Sequence, residues 1–119
     1  MPKEINPEKP LFPISVVADI LDVNPRTLRI YEEKGLIKPS RTDGNRRLYS
    51  LRDITLLEYV HYLVQLKGVN AAGVREILSI LETLPPESRE EITNKVENDL
   101  NKLSKKKLET YKRGDIEIG

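Results

Sequence analysis

Apolar residues recur at helical spacing along most of the chain, in segments punctuated by Pro, Gly, Asn and Asp. Residues 1–13, "MPKEINPEKPLFP", lack that rhythm; their four prolines predict a flexible N-terminal arm. The pattern begins at Ile14 and Ser15, a hydrophobic residue followed by an N-cap. Val17, Ala18, Ile20 and Leu21 then give a short helix its buried face. Asp22-Val23 forms a turn. Asn24 caps a second helix, with Pro25 at the first helical position, where a missing N–H costs nothing. Leu28 and Tyr31 face inward from this helix, and Gly35 closes it. Two short helices joined so tightly predict a helix-turn-helix.

The rhythm then changes. Lys38-Pro39 breaks the helical pattern, and Asp43-Gly44 predicts a hairpin whose strands carry Arg41, Arg46, Arg47 and Tyr49, a small basic wing. Ser50-x-x-Asp53 reads as a capping box for a third helix to about Lys67, with Leu51, Ile54, Leu57, Val60, Leu63 and Val64 as its stripe. Gly68 ends it. Asn70 caps a fourth helix that turns Val74, Ile77, Leu78 and Leu81 inward, until Pro85-Pro86 interrupts.

Ser88-x-x-Glu91 predicts one long final helix over residues 87–112, followed by a short tail, 113–119. Ile92, Val96, Leu100, Leu103, Leu108 and Tyr111 lie in one broad stripe of that helix. Residues 14–84 offer little apolar surface to cover it, so a second copy of the same helix is the expected partner, giving a two-fold homodimer.

Charge sharpens this picture. The formal net charge is only +1, yet residues 24–52 hold eight Lys or Arg against three acids, a local +5 that leaves −4 for the rest. Arg26 and Arg29 sit in the first turn of the second helix, where unpaired N–H groups already carry partial positive charge. Phosphates of a nucleic acid would supply the missing counter-charge. The chain has no cysteine, which removes disulfides and thiolate metal sites. His61 is the sole histidine and is expected to pack rather than to bind a metal. Lys105-Lys106-Lys107 reads as a solvated helix face, and Gly73 as a point of close helix approach. No catalytic triad, paired carboxylates or phosphate-cradling Gly loop is visible, so neither an enzyme nor a cofactor is expected. No apolar run approaches a membrane span and no signal peptide opens the chain, from which a cytoplasmic protein is expected.

The stretches "TLRIYEEKGLI" and, after the hairpin, "RRLYS.RDI" resemble the MerR family of bacterial transcription regulators in residue type, order and separation. Within that family, "YLVQLKGVNAAGVREIL" and the short C-terminus are similar to the heat-shock repressor branch, the HspR-type proteins. The resemblance covers about residues 14–84 and implies a mainly α fold: a winged helix-turn-helix with a β-hairpin wing and a C-terminal helix that dimerises as an antiparallel coiled coil.

It also implies double-stranded DNA as partner, in the form of an inverted repeat. Arg26, Thr27 and Arg29 would lie at the major groove. Tyr31, Arg47 and Tyr49 would meet the flanking backbone, with Lys38, Arg41 and Arg46 adding electrostatic attraction. Arg26 would read guanine or hold phosphate, Thr27 could simply support the helix start, and Arg29 would neutralise phosphate or brace against Glu33. Tyr49 is open to a second role, packing on the core. Many family members carry Tyr where this chain has Ile30, which removes a phenol at that point. The chain ends about seven residues after the predicted last helix, which is expected to leave no sensing domain or metal-binding loop. HspR-type members repress chaperone operons, some with the DnaK chaperone as co-repressor. An activator acting on promoter spacing, or a coiled-coil adaptor with incidental DNA binding, are the alternatives.

Overall fold

Local caps decide where most of the helices begin. A computed structural model describes residues 4–114 and 117–119; the first three residues of the expected arm and Asp115-Ile116 of the expected tail lie outside the described residues. Helix α1 spans Ile14–Leu21 and α2 spans Pro25–Glu33. The Asn24 side chain accepts from the Arg26 N–H at 2.9 Å, the N-cap its sequence predicts. The tight turn between the helices is made by Asp22 in the left-handed region, φ 55°, while the Val23 N–H donates back to Ala18 O. Ser15 is not the cap: α1 starts two residues earlier than that cap implies, at Ile14 after Pro13, with no side-chain cap. Ile20 is another departure, since it faces solvent while Val17 and Ala18 are buried.

Strands β2, Ser40–Arg41, and β3, Arg47–Tyr49, form the wing. The turn between them puts Asn45, rather than Gly44, at positive φ, and Asn45 N–H donates to Thr42 O at 2.8 Å. A third strand, β1, comes from the segment expected to be a loose arm. Phe12–Pro13 pairs antiparallel with β3, setting Phe12 opposite Tyr49, and the sheet order is β1-β3-β2. The arm is held further back as well: Arg52 N–H donates to Pro7 O, and the Arg52 guanidinium pairs with Glu8 at 2.9 Å. Pro13 is tolerated because β1 is an edge strand, where no inward N–H is required.

Helix α3, Leu51–His61, opens with the predicted capping box, Ser50 and Asp53 each accepting the other's backbone N–H at 3.0 Å. It continues as a π-helical turn, Tyr62–Leu66, and ends at Gly68, φ 68°. Helix α4, Ala71–Leu81, is capped by Asn70. The core lies where these helices meet the sheet: Val17, Leu28, Tyr31, Tyr49, Leu57, Val60, Val64 and Val74 are essentially inaccessible.

The C-terminal part departs most from expectation. In place of one helix over 87–112 there are two, α5, Pro86–Asn101, and α6, Lys105–Arg113. Helix α5 begins at Pro86, so Ser88 lies inside it and is no cap. The break falls at Lys102–Ser104, where Ser104 caps α6 by accepting from the Lys107 N–H. Both helices return to their own chain. Val96 packs into the core, and Tyr62 donates its hydroxyl to Asp99, which also faces Lys95 and Lys67. Tyr111 is buried against His61, and Lys112 reaches Asp22 in the helix-turn-helix turn at 3.3 Å. Gly114 closes α6 at φ 72°, where a side chain is strained, and a Cβ there would press on Thr27 Oγ1 at 3.2 Å and the His61 ring at 3.3 Å, so glycine is favoured. Of the stripe proposed for dimerisation, Val96 and Tyr111 are thus occupied within the chain, whereas Ile92, Leu100, Leu103 and Leu108 are half-buried. Close approach at Gly73 is to the side chains of Val69 and Asn70 just before it, not to another helix.

Candidate nucleic-acid interface

The exposed basic groups gather on α2 and the wing. Arg26 and Arg29, three residues apart on one face of α2, are both exposed, as are Lys34, Lys38, Arg41 and Arg46. The first turn of α2 keeps its own N–H groups satisfied: Pro25 has none, and those of Arg26 and Thr27 donate to Asn24 Oδ1 and Asn24 O at 2.9 Å. Arg29 and Glu33 make no ion pair among the described residues, and Arg29 is exposed.

Three of the predicted contacts are not at the surface. Thr27 is buried beneath the start of α2, the supporting role foreseen as its alternative. Tyr31 is 1% exposed, and its hydroxyl lies 2.6 Å from His61 Nδ1. The other imidazole nitrogen, Nε2, is 2.7 Å from Tyr111 O. A carbonyl can only accept, so Nε2 carries the proton and Nδ1 accepts from Tyr31. Tyr31 is therefore packed beneath α2, buried from solvent. Burial holds His61 down to about 4, against a backbone hydrogen bond to Tyr111 that works the other way. The imidazole is neutral and structural, as packing histidines are.

Tyr49 is wholly inaccessible, which favours the core-packing alternative. Its hydroxyl has no hydrogen-bond partner among the described residues. Burial raises its pKa, helped by the nearby Glu32 charge and opposed by Arg47 and Arg41.

Charge on the wing is organised by one residue that the sequence reading passed over. Glu32, in the last turn of α2, accepts from Arg41 Nη2 at 2.6 Å through Oε1 and from Arg47 Nε through Oε2. Burial works against the carboxylate's charge, but the hydrogen bonds from Arg47 and Arg41 outweigh it and hold the pKa below the usual value. Arg41 Nη1 also donates to Asn45 O in the wing turn at 3.1 Å. Helix α2, β2, β3 and their turn are thus tied through one carboxylate. The signal was present as an acid in a basic window, but pairing across 9 and 15 residues depends on the fold.

Among the described residues no His/Cys/Asp/Glu group could hold a metal ion, and no helix is long and apolar enough to cross a membrane. What the surface presents is a helix end and a wing with cations directed outward, a shape and charge suited to a polyanion with a groove.

Comparison with known proteins agrees. A family model described as "MerR HTH family regulatory protein" matches residues 12–80. The chain is 43% identical over 79 residues to the heat shock protein HspR of Streptomyces coelicolor, covering 66% of this chain and about half, 52%, of that protein's length. It is 36% identical over 115 residues to the HTH-type transcriptional regulator GlnR of Bacillus anthracis, covering 97% of this chain and 84% of that one. The HTH-type transcriptional regulator ZntR of Escherichia coli is 34% identical over 71 residues, 59% of this chain and 50% of its own.

Proposed function

Because the chain belongs to the MerR family of helix-turn-helix transcriptional regulators, we propose that it is a dimeric repressor of heat-shock or chaperone genes that binds an inverted repeat. The observation that carries the DNA-binding part is the exposure of Arg26 and Arg29 on one face of α2, beside a basic wing. The stress-gene part rests on the HspR likeness. Arg26 enters the major groove and pairs with a base edge or a phosphate, Arg29 neutralises phosphate, and Lys38 and Arg46 add sequence-independent attraction. One chain has one recognition helix, so an inverted repeat needs two chains, with their helices about 34 Å apart or a multiple of it. A DnaK-type chaperone is the co-repressor this reading implies.

A second reading is favoured by the length of the GlnR match, which covers 97% of this chain where the HspR match covers 66%. On that reading the same DNA-binding surface serves a regulator of the GlnR kind, with other target genes.

An anisotropy titration against the duplex upstream of a chaperone operon, beside a scrambled duplex and at two salt concentrations, tests the first reading. The expected result is binding that prefers the native duplex and weakens steeply with salt. Arg26→Ala and Arg29→Ala should each weaken it by about 1–3 kcal/mol. Tight binding found instead only at other promoters, in a genome-wide selection of bound fragments, favours the GlnR kind. Equal weak binding to every duplex would sink both.

A further inference from the structure

Glu32 stands out among the charged groups because it neutralises its surroundings where the proposed function needs cations. Its side chain is 20% exposed, and those of Arg41 and Arg47 are 35% and 25% exposed, so the three form a cluster at the rim rather than a buried triad. Two guanidiniums share one carboxylate, leaving the cluster with about one net positive charge. The pair with Arg47 uses Nε and the pair with Arg41 uses Nη2, so each guanidinium keeps further donors. Beside them lies the Tyr49 hydroxyl, buried and without a partner among the described residues.

We infer that Glu32 is a positioning residue of the DNA interface that restrains Arg41 and Arg47 from phosphate. It sets the wing against the recognition helix, and it leaves Arg26 and Arg29 a larger share of the binding. The physical argument is competition. A phosphate and the Glu32 carboxylate seek the same guanidinium donors, and the carboxylate is already in place on the helix. Any duplex, of whatever sequence, meets wing arginines that are half-neutralised. Sequence-independent affinity is lowered more than sequence-specific affinity, so the ratio between the two rises. This inference rests on the DNA-binding reading above and assigns a role within that surface.

The test compares Glu32→Gln with Glu33→Gln. Glu33 is exposed and makes no ion pair among the described residues, so its substitution adds the same charge without releasing an arginine. Each variant and the unmodified protein would be titrated with native and scrambled duplexes over a range of salt, after thermal melts confirm that all three fold. Glu32→Gln is expected to bind the scrambled duplex roughly threefold to tenfold more tightly than Glu33→Gln does, and its logarithmic salt slope should steepen by about one to two. The native-to-scrambled ratio should fall, and Glu32→Asp should restore part of it. Identical slopes and ratios for Glu32→Gln and Glu33→Gln would overturn the inference while leaving DNA binding intact. Absence of salt-dependent binding in the unmodified protein would overturn both this inference and the function it rests on.

Discussion

Two inaccessible tyrosines carry opposite consequences for the same chemical change. The Tyr31 hydroxyl donates to His61 Nδ1 and is also hydrogen-bonded by Gln65, so it is satisfied and its removal strands a buried acceptor. The Tyr49 hydroxyl has no partner among the described residues, so folding removes it from water without return. Stranding a buried polar atom costs about 1–3 kcal/mol, and deleting an unsatisfied one costs nothing or stabilises. Tyr31→Phe should therefore lower stability by about 1–3 kcal/mol, while Tyr49→Phe should leave it unchanged or raise it. Urea midpoints of the two variants, measured side by side, check the contrast. Equal losses would mean that the Tyr49 hydroxyl has a partner in solution. Neither phenol was placed by sequence reasoning with certainty of facing DNA or core. A tyrosine in a helix or a wing strand has the same local pattern either way, and only the depth of the packing decides.

At the scale of elements, His61 joins three helices: it sits at the end of α3, accepts from Tyr31 of α2 and donates to Tyr111 of α6. Its neutrality makes that junction sensitive to acid. In the unfolded chain the imidazole takes up a proton near 6.5, whereas in the folded chain burial holds it down to about 4. Protons thus bind the unfolded state more readily across that interval. The His61 contribution is complete above about 6.5 and is lost as pH falls toward 4, with a full size of about 3 kcal/mol. His61→Gln keeps a donor and an acceptor but does not titrate, so its stability should change less between pH 7 and pH 4.5 than that of the unmodified protein. Equal changes would show that acid acts elsewhere. The same junction explains what the sequence could not convey about the C-terminus. Caps at Asn24, Ser50 and Asn70 were readable because each is satisfied within three residues. The Asn45 bend also lay in a recognised turn. The division of α5 from α6 was not readable, because Leu100, Leu103, Leu108 and Tyr111 continue an apolar stripe across the break. What ends the first helix there is the Ser104 cap together with a contact between residues 61 and 111, fifty positions apart. Strand β1 escaped for a similar reason: two residues, one of them proline, gain strand geometry only from pairing with β3.

For the whole molecule, the return of α6 to its own domain changes how two copies could meet. A continuous coiled coil over 87–112 needs Val96 and Tyr111 outward, and both are buried within the chain. One apolar-lined opening lies between α3, α4 and α5. There an open groove of about 1250 Å³ is lined by Leu51, Leu56, Leu78, Leu81 and Ile92, with Ile80 and Leu84 exposed nearby on and just beyond α4. Ile80 is 56% exposed, the largest exposure of any large hydrophobic among the described residues. The proposed inverted-repeat binding needs two chains, and association over this groove would remove apolar area from water, at roughly 25 cal/mol per Å². The protein should therefore sediment at twice its 13.7 kDa chain mass at micromolar concentration. Ile80→Asp should shift it toward the monomer, because a carboxylate at an apolar contact loses its water without gaining a partner. Since Ile80 packs little against its own chain, the variant should melt as a folded protein, separating loss of association from loss of fold. Operator binding should weaken in parallel, with scrambled duplex much less affected. A variant that stays dimeric and binds its operator normally would move the contact to another surface, with the half-buried Leu103 and Leu108 beside the α5–α6 break as the next to substitute.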